Sequence, residues 1–173
     1  MPVLIRRETP ADVAAVRALT AAAFAKLETV EPFEVELLDQ LRAGPAWIPE
    51  LSMVAEGPDG EVVGHVVCSR AHVDGVPVVG LGPISVLPGH QRKGVGLALV
   101  HAVIGGADAL GEPLVALLGS PEYYGRYGFR RSTDLGVNAP DPSWGRFFQV
   151  RPLASYQPSL RGDFVYPQAF DPA

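Results

Sequence analysis

The chain has 173 residues, of which 47% are hydrophobic and 19% charged, and its formal net charge is −5. These values predict one globular domain with a single core, and the negative charge argues against general nucleic-acid binding. Cys68 is the single cysteine, so neither an intrachain disulfide nor a cysteine zinc cluster is expected. Its apolar neighbours favour a small buried strand residue over a nucleophile.

The N-terminal residues become charged too early for a signal peptide, and the chain has no apolar run of about 18 residues. We therefore expect no membrane span and a cytoplasmic protein.

The first elements have clear boundary signals. Residues 3–7 predict a strand. Thr9, Pro10 and Asp12 predict the capped start of a helix that runs to about Phe24. Apolar spacing predicts its buried face, made of Val13, Val16, Thr20, Phe24 and Leu27. A second helix follows Pro32 and ends at Gly44-Pro45.

Three strands follow, at residues 52–56, 61–70 and 76–86, and the short turns between them predict an antiparallel meander. Gly80, Gly82 and Pro83 interrupt the third strand. Such residues inside a strand predict a bulge, a bend or an unpaired edge.

The remainder alternates helices and strands. A helix from about Gly94 to Leu110, weakened near its end by Gly105-Gly106, leads to a buried strand at 113–118. This order predicts a crossover with parallel or splayed strands. A two-turn helix from Ser120-Pro121 ends at Gly128, and Phe129 begins another strand. Residues 144–152 predict the last strand of a domain at 1–153, and residues 154–173 predict an ordered, irregular strap on that domain.

One stretch, Gln91-Arg92-Lys93-Gly94-Val95-Gly96, here called the glycine turn, lies between a strand and a helix start. Glycines permit close approach of a ligand, and the unpaired N–H groups of a helix start attract anions. The pattern predicts an anion cradle suited to a pyrophosphate, with Arg92 and Lys93 beside it. It lacks the endings of a nucleotide P-loop and of a dinucleotide fingerprint.

These six residues resemble the [QR]-x-x-G-x-[GA] acetyl-coenzyme A signature of the GNAT superfamily of N-acetyltransferases. A second stretch, Tyr123-Tyr124-Gly125-Arg126-Tyr127-Gly128-Phe129, resembles the family's tyrosine preceding Gly-Phe by four residues. Its Y-Y-x-R-[FY]-G-F form is typical of a bacterial branch of small acetyltransferases. The resemblance implies a mixed α/β fold, in which a mostly antiparallel central sheet is splayed between its fourth and fifth strands and flanked by helices.

The resemblance also implies a site. Tyr124 is the expected general acid that protonates the departing thiolate, with packing against the coenzyme as its alternative role. Tyr123 and Tyr127 are expected to be structural. No metal is expected. The expected acetyl-CoA-binding residues are Ile84, Ser85, Val86, Gln91, Arg92, Lys93, Gly94, Val95, Gly96, Leu97 and Tyr124.

The general base is not identified by the sequence, because residues 79–86 hold neither an acidic residue nor a histidine, whereas many family members have a glutamate there. Candidates elsewhere are His65, His72, Glu28 and Glu31; His90 and His101 lie nearer the glycine turn. Bulk water is the alternative base. The acidic residues of the second predicted helix suit either a solvated face or attraction of a cationic amine; they are Glu31, Glu34, Glu36 and Asp39.

The leading interpretation is an N-acetyltransferase that acts on a small-molecule amine or a peptide. A non-catalytic acyl-CoA sensor with the same fold is the alternative. A nucleotide-binding domain would need an acidic ribose ligand, for which Asp108 and Glu112 are roughly in place. Family members are often dimers, and the sequence leaves the oligomeric state open.

Overall fold

The computed structural model describes residues 2–25 and 31–171, which form a nine-stranded sheet flanked by helices. The strands are β1 (Leu4–Arg7), β2 (Ser52–Glu56), β3 (Val62–Val73), β4 (Val76–Val86), β5 (Leu114–Leu118), β6 (Arg130–Arg131), β7 (Val137–Asn138), β8 (Phe148–Pro152) and β9 (Gly162–Val165). The helices are α1 (Val13–Ala23), α2 (Phe33–Ala43), α3 (Val95–Ala109) and α4 (Pro121–Tyr124).

The main path through the sheet runs β1-β2-β3-β4-β5-β8-β6. Its pairs are antiparallel except β4 with β5, which is parallel as the crossover through α3 requires. The predicted meander is therefore confirmed as β2, β3 and β4. A short parallel pair of β7 and β9 joins the sheet through β3.

Just before helix α1, a carboxylate accepts a hydrogen bond from a backbone N–H that would otherwise lack a partner. The backbone N–H of Thr9 donates to Asp12 at 2.7 Å, and Arg6 holds the same carboxylate at 2.8 Å. This arrangement lowers the pKa of Asp12 well below its usual range, mainly through the Arg6 hydrogen bonds. Of the predicted helix face, Val16 and Thr20 are fully buried, while Leu27 lies outside the described residues.

Helices cover both faces of the sheet. Helices α1 and α2 pack on one face through a cluster that contains Val16 and Leu38 against Val54 and Val67. Helix α3 packs on the other face through a larger cluster, in which Leu99 and the predicted buried Cys68 are fully buried. Within the described residues, each helix is too short or too polar to cross a bilayer.

Two predictions for the C-terminal third are wrong. The last predicted strand begins only at Phe148, because Pro142–Phe147 turn as 3-10 helix with Gly145 at φ 51°. The tail is not wholly irregular either, since β9 pairs with the end of β3 through Val165 and Phe164. Four residues are too few for a clear alternating pattern to emerge from the sequence. The domain boundary at 153/154 stays a prediction.

A buried polar cluster lies beneath α2. His65 is fully buried, its Nε2 lies 2.8 Å from Ser52 Oγ and 3.6 Å from Glu8, and Glu8 is paired with Arg42. Burial, with a smaller contribution from Arg42, lowers the pKa of His65 to about 3. The imidazole is therefore neutral in the folded protein at ordinary pH.

The glycine pair in α3 does not interrupt the helix, which continues to Ala109. Its two members differ in surroundings. A Cβ at Gly106 would lie 3.0 Å from Met53 Cε and 3.2 Å from Leu51 Cδ2, whereas a Cβ at Gly105 would meet nothing within 4 Å. Gly106 thus permits close packing of α3 on the sheet, and Gly105 does not serve that purpose.

We expect Gly105→Ala to raise the free energy of unfolding by about 0.5–1 kcal/mol, because alanine loses less backbone entropy in a helix and has room here. Gly106→Ala is the matched control and should gain less, since its methyl group presses on Met53 and Leu51. Urea denaturation of both variants measures the difference, and equal gains would contradict the packing role of Gly106.

We also expect the stability to fall as the pH is lowered below about 6.5, because the unfolded chain protonates His65 and the folded protein does not. This contribution is complete above the unfolded pKa and is lost progressively as the pH approaches the folded value. In His65→Gln the slope of unfolding free energy against pH should be smaller between about pH 6.5 and pH 4.

His72→Gln removes an exposed histidine and should retain the wild-type slope. An unchanged slope in His65→Gln, measured by urea denaturation across the same pH range, would show that this histidine does not set the acid sensitivity.

Candidate functional site

Strands β4 and β5 pair only briefly and then separate. Their register joins Val79 to Val115 and Gly80 to Ala116, and no later pair follows among the described residues. Beyond this point β5 remains paired with β8, and β4 with β3. The result is a gap in the sheet between residues 81–86 and the end of β5, as the predicted splay requires.

A bulge in β4 accompanies the separation. Val66 pairs with Ile84 and Cys68 with Leu81, so Gly82 and Pro83 together oppose one residue of β3. Gly82 has φ 140°, a backbone region that favours glycine. The predicted interruption of this strand is therefore confirmed. The bulge changes the direction of the rest of β4 at the point where its pairing with β5 ends.

The alternation of β4 decides which backbone groups face the gap. The N–H of Leu87 donates to Val63 in β3, so the backbone groups of Leu87 and Ser85 point towards β3. Those of Ile84 and Val86 point the other way, into the gap. The Val86 carbonyl already accepts a hydrogen bond from the Gln91 side chain at 3.1 Å.

The glycine turn connects β4 to α3 in the predicted way. Arg92 has φ 60° and Gly94 has φ 86°, and Gly94 caps α3, whose first residue is Val95. The N–H groups of the first helical turn have no partners within the helix and carry its positive dipole end. Gln91, Arg92, Lys93 and Gly94 are exposed, Val95 is buried in the core and Leu97 is 40% exposed.

The two adjacent tyrosines of helix α4, Tyr123 and Tyr124, contact different parts of the structure. Ser120 caps it by accepting from the N–H of Tyr123 at 3.3 Å, as predicted. The Tyr123 hydroxyl accepts a hydrogen bond from Tyr127 at 2.8 Å and lies 3.3 Å from the position of a Cβ at Gly96. Tyr123 therefore reaches the glycine turn, a contact that the spacing of the motif does not predict.

The neighbouring Tyr124 ring packs against Gly119, where a Cβ would be 2.6 Å from its Cε2, and its plane is inclined by 76° to that of Phe129. Burial, with a smaller contribution from the nearby Tyr123, raises the pKa of Tyr124 to about 12. Its hydroxyl is therefore protonated and can donate a hydrogen bond at any physiological pH.

Beside the gap lies a cleft of about 1210 Å³, here called the acceptor cleft. Its lining includes Leu81–Ile84 of β4, Leu117 and Leu118 of β5, and Tyr124. Ile84 and Tyr124 are thus the two predicted site residues that line it, whereas the glycine turn lies outside it. Helix α2, the 3-10 turn before β8 and the C-terminal tail complete its walls.

The general-base candidates do not meet at this cleft. His65 is buried in the cluster described above, and His72 and Glu31 are exposed and absent from the lining. Glu28 lies outside the described residues. Of the acidic residues predicted on the second helix, Glu34 lines the cleft.

Asp108 and Glu112, the ribose ligands that a nucleotide-binding domain would need, are each bonded to another part of the protein. Asp108 accepts a hydrogen bond from the N–H of Ala154 at 3.0 Å, and Glu112 pairs with Arg70 at 2.7 Å. Neither residue lines the cleft. Among residues 2–25 and 31–171, no group of three or more His, Cys, Asp or Glu side chains is arranged to hold a metal.

Sequence reasoning missed several lining residues. Trp144, Tyr166 and Phe170 line the cleft, and so do Asp163 and Asp171. The aromatic content of the tail was the available signal, but only the pairing of β9 with β3 places those residues beside α2.

Comparison with known proteins agrees with this geometry. The model of the Acetyltransferase (GNAT) domain family matches residues 4–132. The chain is 29% identical over 153 residues to the Escherichia coli K12 protein named "Uncharacterized N-acetyltransferase YhbS", a match that covers 87% of each chain.

Two solved structures are similar along nearly the whole chain. The YhbS N-acetyltransferase of Escherichia coli, in complex with CoA, has a TM-score of 0.88 and 28% identity, over 97% of this chain and 91% of that one. A GNAT family acetyltransferase from Brucella melitensis, in complex with acetyl-CoA, has a TM-score of 0.80 and 35% identity, over 98% and 99%. The family resemblance and the predicted fold are therefore confirmed, and the chain belongs to the GNAT acetyltransferase family.

Proposed function

We propose that the protein transfers an acetyl group from acetyl-CoA to a primary amine of a small molecule or peptide, by direct attack of the amine. The observation that carries this proposal is the gap between β4 and β5. The glycine turn lies at one side of it, the acceptor cleft lies at the other, and α4 contributes a tyrosine to each.

The glycine turn is the proposed site of the coenzyme pyrophosphate. The N–H groups of residues 93–97 would hold its oxygens, with Arg92 and Lys93 adding positive charge. The N–H of Val86 and the carbonyl of Ile84 would bind the pantetheine amides as a neighbouring strand does. The backbone groups of Ser85 face β3, so this residue would only set the distance between Ile84 and Val86. The CoA and acetyl-CoA complexes of the two related structures support this assignment.

The chemistry is an acyl transfer. The amine nitrogen bonds to the thioester carbon, the carbon–sulfur bond breaks, the nitrogen loses a proton and the coenzyme sulfur gains one. Charge that develops on the carbonyl oxygen needs a hydrogen-bond donor. The N–H of Ile84 faces the gap, and Ile84 lines the acceptor cleft, so this N–H is our candidate for that donor.

Tyr124 is our candidate for the group that assists the departing sulfur. A phenol of pKa about 12 is a weaker acid than a thiol of pKa about 8.5, so complete proton transfer to the thiolate is uphill by roughly 4–5 kcal/mol. The ordinary pKa values of a phenol, about 10, and of a thiol, about 8.5, lie closer together than the two values at this buried position. We therefore assign Tyr124 a hydrogen bond to the sulfur as charge develops there, with the final proton supplied through solvent.

The proton of the attacking amine also goes to solvent in this proposal. Among the described residues, the four histidines and Glu31 do not line the cleft, and the run from Val79 to Val86 carries no acidic side chain. An ammonium substrate therefore loses its proton to water before its neutral nitrogen attacks the thioester.

A non-catalytic acyl-CoA sensor remains the second candidate, favoured by that missing strand carboxylate. Tyr124 at the edge of the acceptor cleft favours the enzyme. Cytoplasmic location and dimer formation stay predictions.

The first test concerns the glycine turn. Gly96→Glu should weaken acetyl-CoA binding about tenfold or more, because a carboxylate enters the space reserved for phosphate and presses on the Tyr123 hydroxyl. Titration calorimetry measures the change, and circular dichroism checks the fold.

Gly89→Glu is the matched control, since it places the same charge on the same connection where a Cβ meets nothing within 4 Å. It should retain affinity within about threefold. Equal affinities in both variants would remove the glycine turn from the binding site.

The second test concerns Tyr124. Tyr124→Phe should lower kcat about tenfold or more while acetyl-CoA affinity stays nearly constant, because the variant keeps the ring and loses the donor. Tyr156→Phe, on a tyrosine outside the cleft lining, should retain the wild-type kcat. An unchanged kcat in Tyr124→Phe would reduce this tyrosine to packing, and absence of turnover with any amine despite acetyl-CoA binding would favour the sensor.

A further inference from the structure

The acceptor cleft keeps large apolar side chains at a solvent-accessible surface. Phe33 is 52% exposed, Leu118 47% and Val165 57%, and all three line it. Burying such side chains elsewhere would stabilise the fold, so their exposure along one cleft indicates a surface that an apolar ligand covers.

One side of the cleft is built from aromatic rings, here called the aromatic wall: Trp144, Phe164, Tyr166 and Phe170. Tyr166 is its centre, with ring centroids 4.8 Å from Phe164, 4.7 Å from Phe170 and 6.4 Å from Trp144. These rings hold one another in edge-on and tilted arrangements, so the wall is preformed.

The aromatic wall lies directly beside the gap. Tyr166 packs over Gly80, where a Cβ would be 3.2 Å from its Cε1, and Gly80 belongs to the last pair that joins β4 to β5. A flat group that stacks on this wall is therefore placed next to the point where the two strands separate. Tyr124 lines the same cleft.

The charged residues of the cleft have one sign. They are Glu34 of α2, Asp163 of β9 and Asp171, and no Lys, Arg or His side chain lines the cleft within the part of the chain that the structure describes. Asp163 accepts a hydrogen bond from Asn138 at 2.9 Å, which fixes its position. Several carboxylates around an apolar cleft raise the local concentration of cations and repel anions.

We propose that the acceptor is a primary arylalkylamine: a flat aromatic body that packs on the aromatic wall, carrying an ammonium group drawn in by the three carboxylates. This inference rests on the proposed function and names its substrate class. Cation–π attraction to the ring faces adds to the selection of an ammonium over a neutral group. Polyhydroxylated amines find few polar partners on the aromatic wall, and amines that carry a carboxylate or phosphate are repelled.

Three probes with the same reactive two-carbon ammonium unit separate these contributions. 2-Phenylethylamine has both features, ethanolamine replaces the phenyl ring with a hydroxyl, and phenylalanine adds a carboxylate. Release of the coenzyme thiol measures turnover. We expect kcat/KM for 2-phenylethylamine to exceed that for ethanolamine about tenfold or more through burial of the ring, and that for phenylalanine by a similar factor through charge.

Matched variants assign the two contributions to residues. Phe170→Ala should raise KM for 2-phenylethylamine about fivefold or more and leave ethanolamine unchanged, whereas Phe147→Ala removes an exposed ring outside the lining and should change neither. Glu34→Gln should raise KM for 2-phenylethylamine by about two- to threefold at low salt and less at high salt. Glu36→Gln, on the exposed side of α2, should have no effect.

Binding of the same probes to the coenzyme-loaded protein, followed by ligand-observed NMR, keeps this inference testable without turnover. Tighter binding of 2-phenylethylamine than of both other probes supports it, even if no amine is acetylated and the proposed function fails. Acetylation of ethanolamine or phenylalanine with equal or higher kcat/KM would overturn the inference and leave the acetyltransferase function standing. Equal binding of all three probes would overturn it as well.

Discussion

The structure depends on one constraint in the sheet: β4 and β5 are parallel neighbours that share only two residue pairs. A parallel pair needs a crossover, and α3 supplies it. The bulge at Gly82-Pro83 turns the rest of β4 away, so its outer backbone groups lose the strand that would have paired with them. Unpaired backbone groups inside a sheet need a partner, and a ligand with amide groups is one.

Everything proposed for function is arranged around that gap. The crossover starts with the glycine turn, so the positive end of α3 lies where the strands have separated. After β5, the chain turns at Gly119 into α4, where Tyr123 reaches Gly96 and Tyr124 reaches the acceptor cleft. The C-terminal tail returns along β3 and closes the far side with aromatic rings. The proposed coenzyme and acceptor surfaces are thus brought to one opening by separate segments of the chain.

The sequence predicted the parts that depend on local signals. Capping residues, turns and glycine spacing identified α1, the meander, the glycine turn and the tyrosine motif correctly. Local sequence signals do not predict contacts between distant segments. The position of Tyr166 over Gly80 depends on strand pairing, and the neutral state of His65 depends on burial. The raised pKa of Tyr124 is beyond sequence reasoning for the same reason, because desolvation is a property of the packed structure and not of the residue type.

Amide hydrogen exchange, resolved by NMR with and without acetyl-CoA, shows whether the coenzyme pairs with the gap-facing edge of β4. The N–H groups of Ile84 and Val86 face the gap, and those of Ser85 and Leu87 face β3. We expect acetyl-CoA to slow exchange at Ile84 and Val86, while Ser85 and Leu87 exchange slowly in both states. Fast exchange at Ile84 and Val86 in the presence of saturating acetyl-CoA would contradict it, because the coenzyme would then bind without pairing to β4.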